Sequence, residues 1–473
     1  MTTMSTESLS MTIDGAAATA VARFDVINPA TGEPFDAAPE CSREQLDAAM
    51  ASAAAAFVDW RRDEPARRRA LVTCADAITR HADELAQILT REQGKPLAKA
   101  AGELAGAAKW FTYTAKLEMP VEVALDNARV RVEVRRRPHG VVAAITPWNY
   151  PVSLAVWKIA PALLAGNTMV LKPSPFTPLA TLRMGEILRD VLPSGVLNVV
   201  SGGDELGAWM TAHPTVRKIS FTGSVATGKL VAAAAAPDLK RVTLELGGND
   251  PAIVLPDVDV SLVAKRIFWG AFENCGQVCS AIKRVYVPES LYGPMLTELG
   301  ELARGVQVGD GLDADSQMGP LNNRPQFERV QELVEDAKRA GGKVVAGGQR
   351  LGDRGYFFAP TIIGELQDGV RLVDEEQFGP VLPVVPYADL DDAVERANAT
   401  HFGLSGSVWS SDVAKAEEVA GRLECGTAWV NQHLNVLPHA PFGGAKWSGI
   451  GVENGPWGLL GFTEIQTINV AKG

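Results

Sequence analysis

Between Val141 and Leu246 short β-rich runs alternate with amphipathic helical stretches, and this alternation constrains the fold more than any other feature of the chain. Val141–Ile145 reads as a buried strand, closed by the turn Thr146-Pro-Trp-Asn-Tyr-Pro151, and an apolar helix is expected from there to Leu164. Thr168–Lys172 is the next expected strand. After it Thr177-Pro178 reads as an N-cap followed by a first-turn proline, with Leu179, Leu182, Ile187, Leu188 and Val191 along one helical face. Val196–Val200, Lys218–Phe221 and Val242–Leu246 read as further strands. Strand–helix–strand repetition at this spacing means a parallel sheet with helices on both faces.

From Gly247 the alternation restarts. A helix is expected near Val260–Glu273, a strand at Arg284–Val287, helices around Pro325–Ala340 and Asp391–Ala399, and strands at Ser405–Trp409 and Thr427–Asn431. An Ala-rich helical stretch from Arg43 to about Leu117 precedes both units. With 473 residues, and roughly 150 residues to a domain, about three domains, or two large ones, are expected. Two segments fit neither unit: Arg129–Arg135, where Val130, Val132 and Val134 alternate with charged residues, and Phe462–Val470. Exposed paired strands need a cover, and a second subunit is the expected one; a solvated local hairpin is the alternative.

The formal charge of −11 argues against nucleic acid or an anionic membrane as partner, since either needs a basic face. The longest apolar stretch, Ala155–Leu171, is interrupted by Lys158, Pro161 and Gly166, so no membrane span is expected. Five cysteines are too few and too odd in number for a disulfide framework, show no metal-ligand spacing, and point to a reducing, cytoplasmic compartment. Residues 1–22 have no basic n-region and read as a flexible or loosely docked arm.

The chemistry concentrates in Phe272-Glu-Asn-Cys-Gly-Gln-Val-Cys-Ser-Ala281. A lone cysteine such as Cys279 is by default a small buried hydrophobe. Upstream, Glu245 in Leu244-Glu-Leu-Gly-Gly-Asn249 ends an apolar strand, where α/β proteins place catalytic groups and apolar walls raise a carboxylate's pKa towards that of a base. In isolation it reads first as a cap or salt-bridge partner. Asn149, between Trp148 and Tyr150, is either an Asx-turn residue or an amide donor to an oxyanion.

Taken together the motifs resemble the aldehyde dehydrogenase superfamily, over almost the whole chain from about Phe24. The resemblance rests on Pro147-Trp-Asn, Trp157-Lys-Ile-Ala-Pro-Ala-Leu163, Leu171-Lys-Pro-Ser174, Phe221-Thr-Gly-Ser224, Leu244-Glu-Leu-Gly-Gly248, Gly276-Gln-x-Cys279, Glu376-x-Phe-Gly-Pro380 and Pro441-Phe-Gly-Gly-x-Lys-x-Ser-Gly449, in that order. It implies an α/β fold with a Rossmann-like cofactor domain (23–122 and 140–247), an α/β catalytic domain (248–455) and a small β oligomerisation arm (123–139 and 456–473), hence a homodimer or homotetramer. It also implies oxidation of a small-molecule aldehyde to the acid. Cys279 would add to the aldehyde, Asn149 and the Cys279 N–H would hold the oxyanion, hydride would leave to the nicotinamide, and Glu245 would activate the water that hydrolyses the thioester.

Cofactor contacts implied by the resemblance are Thr146, Pro147, Trp148, Lys172, Ser174, Gly223, Ser224, Gly228, Leu246, Glu376 and Phe378. Gly223-Ser-Val-Ala-Thr-Gly228 opens a helix directly after a strand, so a pyrophosphate can meet backbone N–H groups there, although Gly-x4-Gly is not the usual dinucleotide fingerprint. Lys172 and Glu376 resemble the groups that hold the two riboses, with Phe378 beside the nicotinamide ring. Pro175 stands where many NAD-preferring members carry a Glu, so NAD is expected and NADP stays open. Asn249-Asp250, where Lys-Ser is frequent, and Val452, where Arg often stands, are further departures.

Retention of Glu245 favours hydrolysis over transfer of the thioester to coenzyme A, and retention of all three groups disfavours a non-catalytic structural relative. For the substrate, Trp157 and Phe272 are expected to line the tunnel, with residues near Trp110 and Phe111 and the loop Gln432–His439. That loop has no Arg or Lys, which favours an aromatic or medium aliphatic aldehyde over an anionic semialdehyde. No metal is expected.

Overall fold

The computed structural model describes residues 9–472. Val141–Ile145, Thr168–Lys172, Leu197–Val199, Val216–Thr222 and Arg241–Glu245 form a parallel sheet. The first of these strands in the chain stands in the middle, with Val216–Thr222 on one side and Thr168–Lys172 on the other. Strand order therefore reverses beside Val141–Ile145, and the carboxyl ends of this strand and of Val216–Thr222 open the crevice in which such sheets bind ligands. Val142, Ala143 and Ala144 are fully buried, as a sheet covered by helices requires.

The edges of this sheet differ from expectation. Met11–Ile13 pairs with Ala16–Ala18 and, through Thr12, with Val199. The arm expected to be loose is thus, from Met11 to Ala18, a hairpin on the sheet; its first eight residues lie outside those described. The local cause is Asp14-Gly15, both at positive φ (54° and 69°), a turn chemistry that matches strand twist. Asp14 N–H also donates to Asn198 at 2.9 Å, and Met11 is fully buried.

The Ala-rich region forms four helices, Arg43–Trp60, Glu64–Arg80, Ala82–Gln93 and Leu97–Thr114. A capping box of Ser42 and Gln45 opens the first, Asp63 with Pro65 opens the second, and Gly94 at φ 98° ends the third. The helix Leu179–Arg189 starts without the cap expected from Thr177. Its first N–H groups go to a distant carboxylate instead: buried Glu92 accepts from Leu179 at 2.6 Å and Ala180 at 2.9 Å, where the helix dipole favours an anion. Burial raises the Glu92 carboxyl to about 8.

A second, seven-stranded sheet runs Lys343–Ala346, Thr361–Gly364, Val381–Tyr387, Ile282–Pro288, Asp250–Val254, Ser405–Trp409, Thr427–Val430. All its neighbours are parallel except the first pair. Each large sheet has its own apolar core. The fold is α/β, with a three-stranded addition in which Val130–Pro138 pairs antiparallel with Thr463–Ala471 along its length and with Glu122–Asp126 on its other side. No described helix is long and apolar enough to cross a membrane.

Candidate active site

Two cavities meet at one turn. The larger, about 940 Å³, and a second of about 670 Å³ share Cys279 and Asn149 in their walls. Asn149 arrives on the turn after Val141–Ile145, at the reversal of strand order. Cys279 arrives on the segment before Ile282–Pro288. That segment is strained, since Asn274, Cys275 and Gly276 all have positive φ (51°, 59°, 72°), and such strain gathers at functional sites. Gly276 is also forced by space, because a Cβ there would strike the Gly379 carbonyl.

The side-chain amide of Asn149 donates to the Gln277 carbonyl at 3.0 Å, which orients it and leaves its second N–H for an acceptor. The main-chain carbonyl of Asn149 accepts from Lys95 Nζ at 2.9 Å and from Asn274 Nδ2 at 3.0 Å. Glu245, last residue of Arg241–Glu245, lines the second cavity, is 1% exposed, and neither carboxylate oxygen has a hydrogen-bond partner among the described residues. Burial holds its carboxyl well above the usual range; the charges of Glu453, Glu376 and Asp250 add to this and Lys158 opposes it. Burial also pushes the Cys279 thiol well up, with Glu245 the strongest of the charges acting against ionisation. The two groups titrate against each other, so ionising one opposes ionising the other. Cys275 is 1% exposed in the second core and its thiol is raised by burial alone.

Of the residues expected at a cofactor, Pro147, Trp148, Gly223, Ser224, Leu246, Glu376 and Phe378 line the second cavity with Glu245. The Trp148 and Phe378 rings meet edge to face at 5.2 Å. Ser224 caps the helix Val225–Ala235 by accepting from Thr227 N–H at 3.2 Å. Thr146, Lys172, Ser174 and Gly228 do not line this cavity. Thr146 is buried beside Lys172, whose carbonyl its N–H reaches at 3.1 Å, and Gly228 lets the helix approach Leu246, since a Cβ would lie 2.5 Å from that side chain. Lys172 is 3% exposed and burial lowers its ammonium to about 8 against the opposing pull of Asp204 and Glu40. A dinucleotide fits this arrangement: Gly223, where a Cβ would meet the Phe221 ring at 2.5 Å, and Gly247, where it would strike Glu376, keep backbone open beside a helix N-terminus.

In the larger cavity Trp157 stacks on Trp110 with centroids 5.4 Å apart and meets Phe442 edge-on at 5.8 Å. Phe272 does not line it. It is 1% exposed and packs on Phe268 at 4.5 Å, because the helix Val260–Phe272 turns Trp269 and Gly270 to the cavity instead. Phe111 is likewise fully buried in the first core. The cavity is also not free of cations as the loop alone implied: Lys99 and Arg266 line it, Lys99 paired with Glu273 at 2.9 Å and Arg266 donating to the Asn431 carbonyl at 3.2 Å. His433, from the loop, donates Nε2–H to the Ser280 carbonyl at 2.7 Å, and burial lowers its ring to about 3.

Several charged residues around the site have partners that the motifs did not reveal. Lys158 donates to Thr222 Oγ1 at 2.7 Å and pairs with buried Glu453, and Lys95 pairs with Glu103 at 2.5 Å. Their signal is a single charge in an apolar or small-residue stretch, which folds inward only with a partner.

A family model described as "Aldehyde dehydrogenase family" matches residues 16–468. Retinaldehyde dehydrogenase 3 of Rattus norvegicus is 41% identical over 460 residues, 95% of this chain and 90% of that protein. Phenylacetaldehyde dehydrogenase of Pseudomonas fluorescens is 39% identical, covering 95% and 92%. Among solved structures, the NAD+ complex of an aldehyde dehydrogenase from Bacillus cereus superposes with a TM-score of 0.95 at 35% identity, over 98% of this chain and 97% of that one. The betaine aldehyde dehydrogenase of Staphylococcus aureus with NAD+ gives 0.95 at 34%, over 98% and 95%.

Proposed function

The chain belongs to the aldehyde dehydrogenase family, and from that premise we propose that Cys279 is the nucleophile, Asn149 the oxyanion donor and Glu245 the base of its NAD-dependent oxidation of an aldehyde to the carboxylic acid. The observation that carries the assignment is the sharing of Cys279 and Asn149 by two cavities. An aldehyde entering through the aromatic one meets the thiol at the mouth of the cavity with the dinucleotide features.

Glu376, Phe378, Trp148 and the helix N-terminus at Gly223–Val225 would hold the cofactor, with Lys172 and Ser174 assigned to its adenosine end. Bound there, the nicotinamide supplies the hydride acceptor. The Cys279 sulfur adds to the carbonyl carbon as a thiolate, and the free N–H of Asn149 with the Cys279 backbone N–H stabilises the oxyanion; one such donor contributes about 3 kcal/mol in acyl chemistry. Oxidation leaves a thioester on Cys279, and Glu245 takes a proton from the water that hydrolyses it. Cofactor binding is assigned to 23–122 with 140–247 and the nucleophile to 248–455. In a burst experiment, Cys279→Ala loses both burst and turnover, whereas Glu245→Gln keeps an NADH burst and slows the steady state. Equal loss of the burst in both variants would remove Glu245 from deacylation.

An aromatic or medium aliphatic aldehyde is the substrate class supported by Trp110, Trp157, Trp269 and Phe442 around the cavity. A semialdehyde is the second reading, and Arg266, whose only side-chain hydrogen bond among the described residues is to a carbonyl, favours it. The ratio of kcat/KM for benzaldehyde and hexanal to that for succinic semialdehyde decides between them, and a larger value for the semialdehyde overturns the first.

The arm 123–139 with 456–473 is assigned to a homodimer or homotetramer, supported by Val123, Leu125, Ile465 and Val470, each at least 46% exposed on the three-stranded sheet. Five unpaired cysteines support a reducing, cytoplasmic setting.

A further inference from the structure

Lys283 lies on the strand Ile282–Pro288, four residues after the thiol, with its side chain 2% exposed. A buried lysine needs partners. This one donates to the carbonyls of Cys279 at 2.6 Å, Val278 at 2.9 Å and Ala281 at 3.4 Å. The same ammonium lies 3.5 Å from Oε1 of Glu376, an oxygen that also accepts from the Gly248 N–H at 3.1 Å. Gln377 closes the connection from the other side by donating to the Lys283 carbonyl at 2.8 Å, and the Phe378 ring centroid is 5.9 Å from the ammonium. One side chain therefore ties the turn that carries Cys279 to the Glu376–Phe378 segment of the cofactor cavity.

The charges around the thiol make this tie more than mechanical. Burial opposes the thiolate most strongly, then Glu245; Glu376 and Asp250 oppose it too, and Lys283 acts the other way. Two further titratable neighbours stay uncharged: Tyr150 is a phenol that burial keeps protonated, and His433, bonded to the Ser280 carbonyl, is an imidazole that burial keeps neutral. We propose that Lys283 is a positioning residue for the nucleophile: it fixes the Cys279 main chain through three carbonyls and supplies the buried positive charge against which the thiolate forms, while Glu376 competes for the same ammonium. A hydrogen-bond donor that engages Glu376 from the cofactor side then leaves more of that charge to the thiol. The inference rests on the assignment of Cys279 as nucleophile and adds how its reactivity is set.

The test is the pH dependence of iodoacetamide alkylation in the full-length, cofactor-free protein, with the modified cysteine identified by peptide mass mapping. In Lys283→Met the alkylation midpoint moves alkaline by about one pH unit or more, which lowers the rate at neutral pH roughly tenfold. Lys283→Arg restores most of the rate, and Glu376→Gln moves the midpoint in the acid direction. A wild-type midpoint in a Lys283→Met protein that melts like wild type overturns the proposal. If Lys283→Met does not fold, an unshifted Glu376→Gln midpoint overturns it on its own. Should the wild-type label fall on a cysteine other than Cys279, the nucleophile assignment fails instead, a result distinct from either of these.

Discussion

Lys95 Nζ stands 2.9 Å from the carbonyl oxygen of Asn149, so a lysine from the helical region holds the main chain of the residue assigned to the oxyanion. The same ammonium pairs with Glu103 at 2.5 Å and lies 3.8 Å from the Tyr150 ring centroid. Glu103 in turn accepts the first N–H groups of the next helix, from Val152 at 3.0 Å and Ser153 at 3.1 Å. Both side chains are almost fully buried.

Removing one member of such a pair leaves the other charge buried and alone. Lys95→Met is expected to lower unfolding stability by about 3–5 kcal/mol, and the double variant Lys95→Met/Glu103→Gln to recover part of it. Because Asn149 loses a support, kcat should fall in the single variant more than KM changes. Urea unfolding measures the first effect, and a loss below about 1 kcal/mol in the single variant would show that the pair is solvated in solution.

Glu245 and Cys279 are both raised, and the reactive form of each is the deprotonated one. Their active forms are therefore lost as pH falls, and kcat/KM should keep rising from neutral into alkaline pH. In Glu245→Gln the strongest opposing charge disappears, so the alkylation midpoint of Cys279 should move in the acid direction. A kcat/KM profile that is flat or falls above neutral pH would contradict this account.

Pro175 leaves its own position without a carboxylate to repel a 2′-phosphate, although the charges of Asp204 and Glu40 reach Lys172, so measurable NADP turnover is expected beside NAD. Pro175→Glu should raise the NAD-over-NADP ratio of kcat/KM by roughly tenfold or more through like-charge repulsion. Lys172, lowered to about 8, loses its charge as pH rises through that value. The KM for NADP should accordingly rise relative to that for NAD across the same interval, and a pH-independent ratio would detach Lys172 from the phosphate.

Several element positions were legible where burial followed a local pattern, while the buried strands Asp250–Val254 and Val381–Tyr387 were not, since each carries proline, which argues against a strand. Val141–Ile145, Thr168–Lys172 and Ser405–Trp409 have the bounds expected from composition, because a strand buried on both faces is apolar throughout. The hairpin at Met11–Ala18 was hidden by its alanines, although Asp14-Gly15 carried a turn signal. Thr177 looked like a cap, but a local rule cannot see Glu92, which reaches Leu179 from another helix. Phe272 failed as a lining residue for a similar reason: its face of the helix packs on the second core.

By itself the sequence determined the alternation of strands and helices between Val141 and Leu246, the α/β class and the family, because periodicity and motif spacing are properties of neighbouring residues. It also singled out Cys279, Glu245 and Asn149 by residue type and context. Only the tertiary structure decided which surroundings these groups have. The unpartnered carboxylate of Glu245, the lysines Lys95, Lys158 and Lys283 and their acids, and the cations at the larger cavity come from segments far apart in the chain. Desolvation and charge pairing depend on distance through the folded interior, and distance along the chain does not encode it.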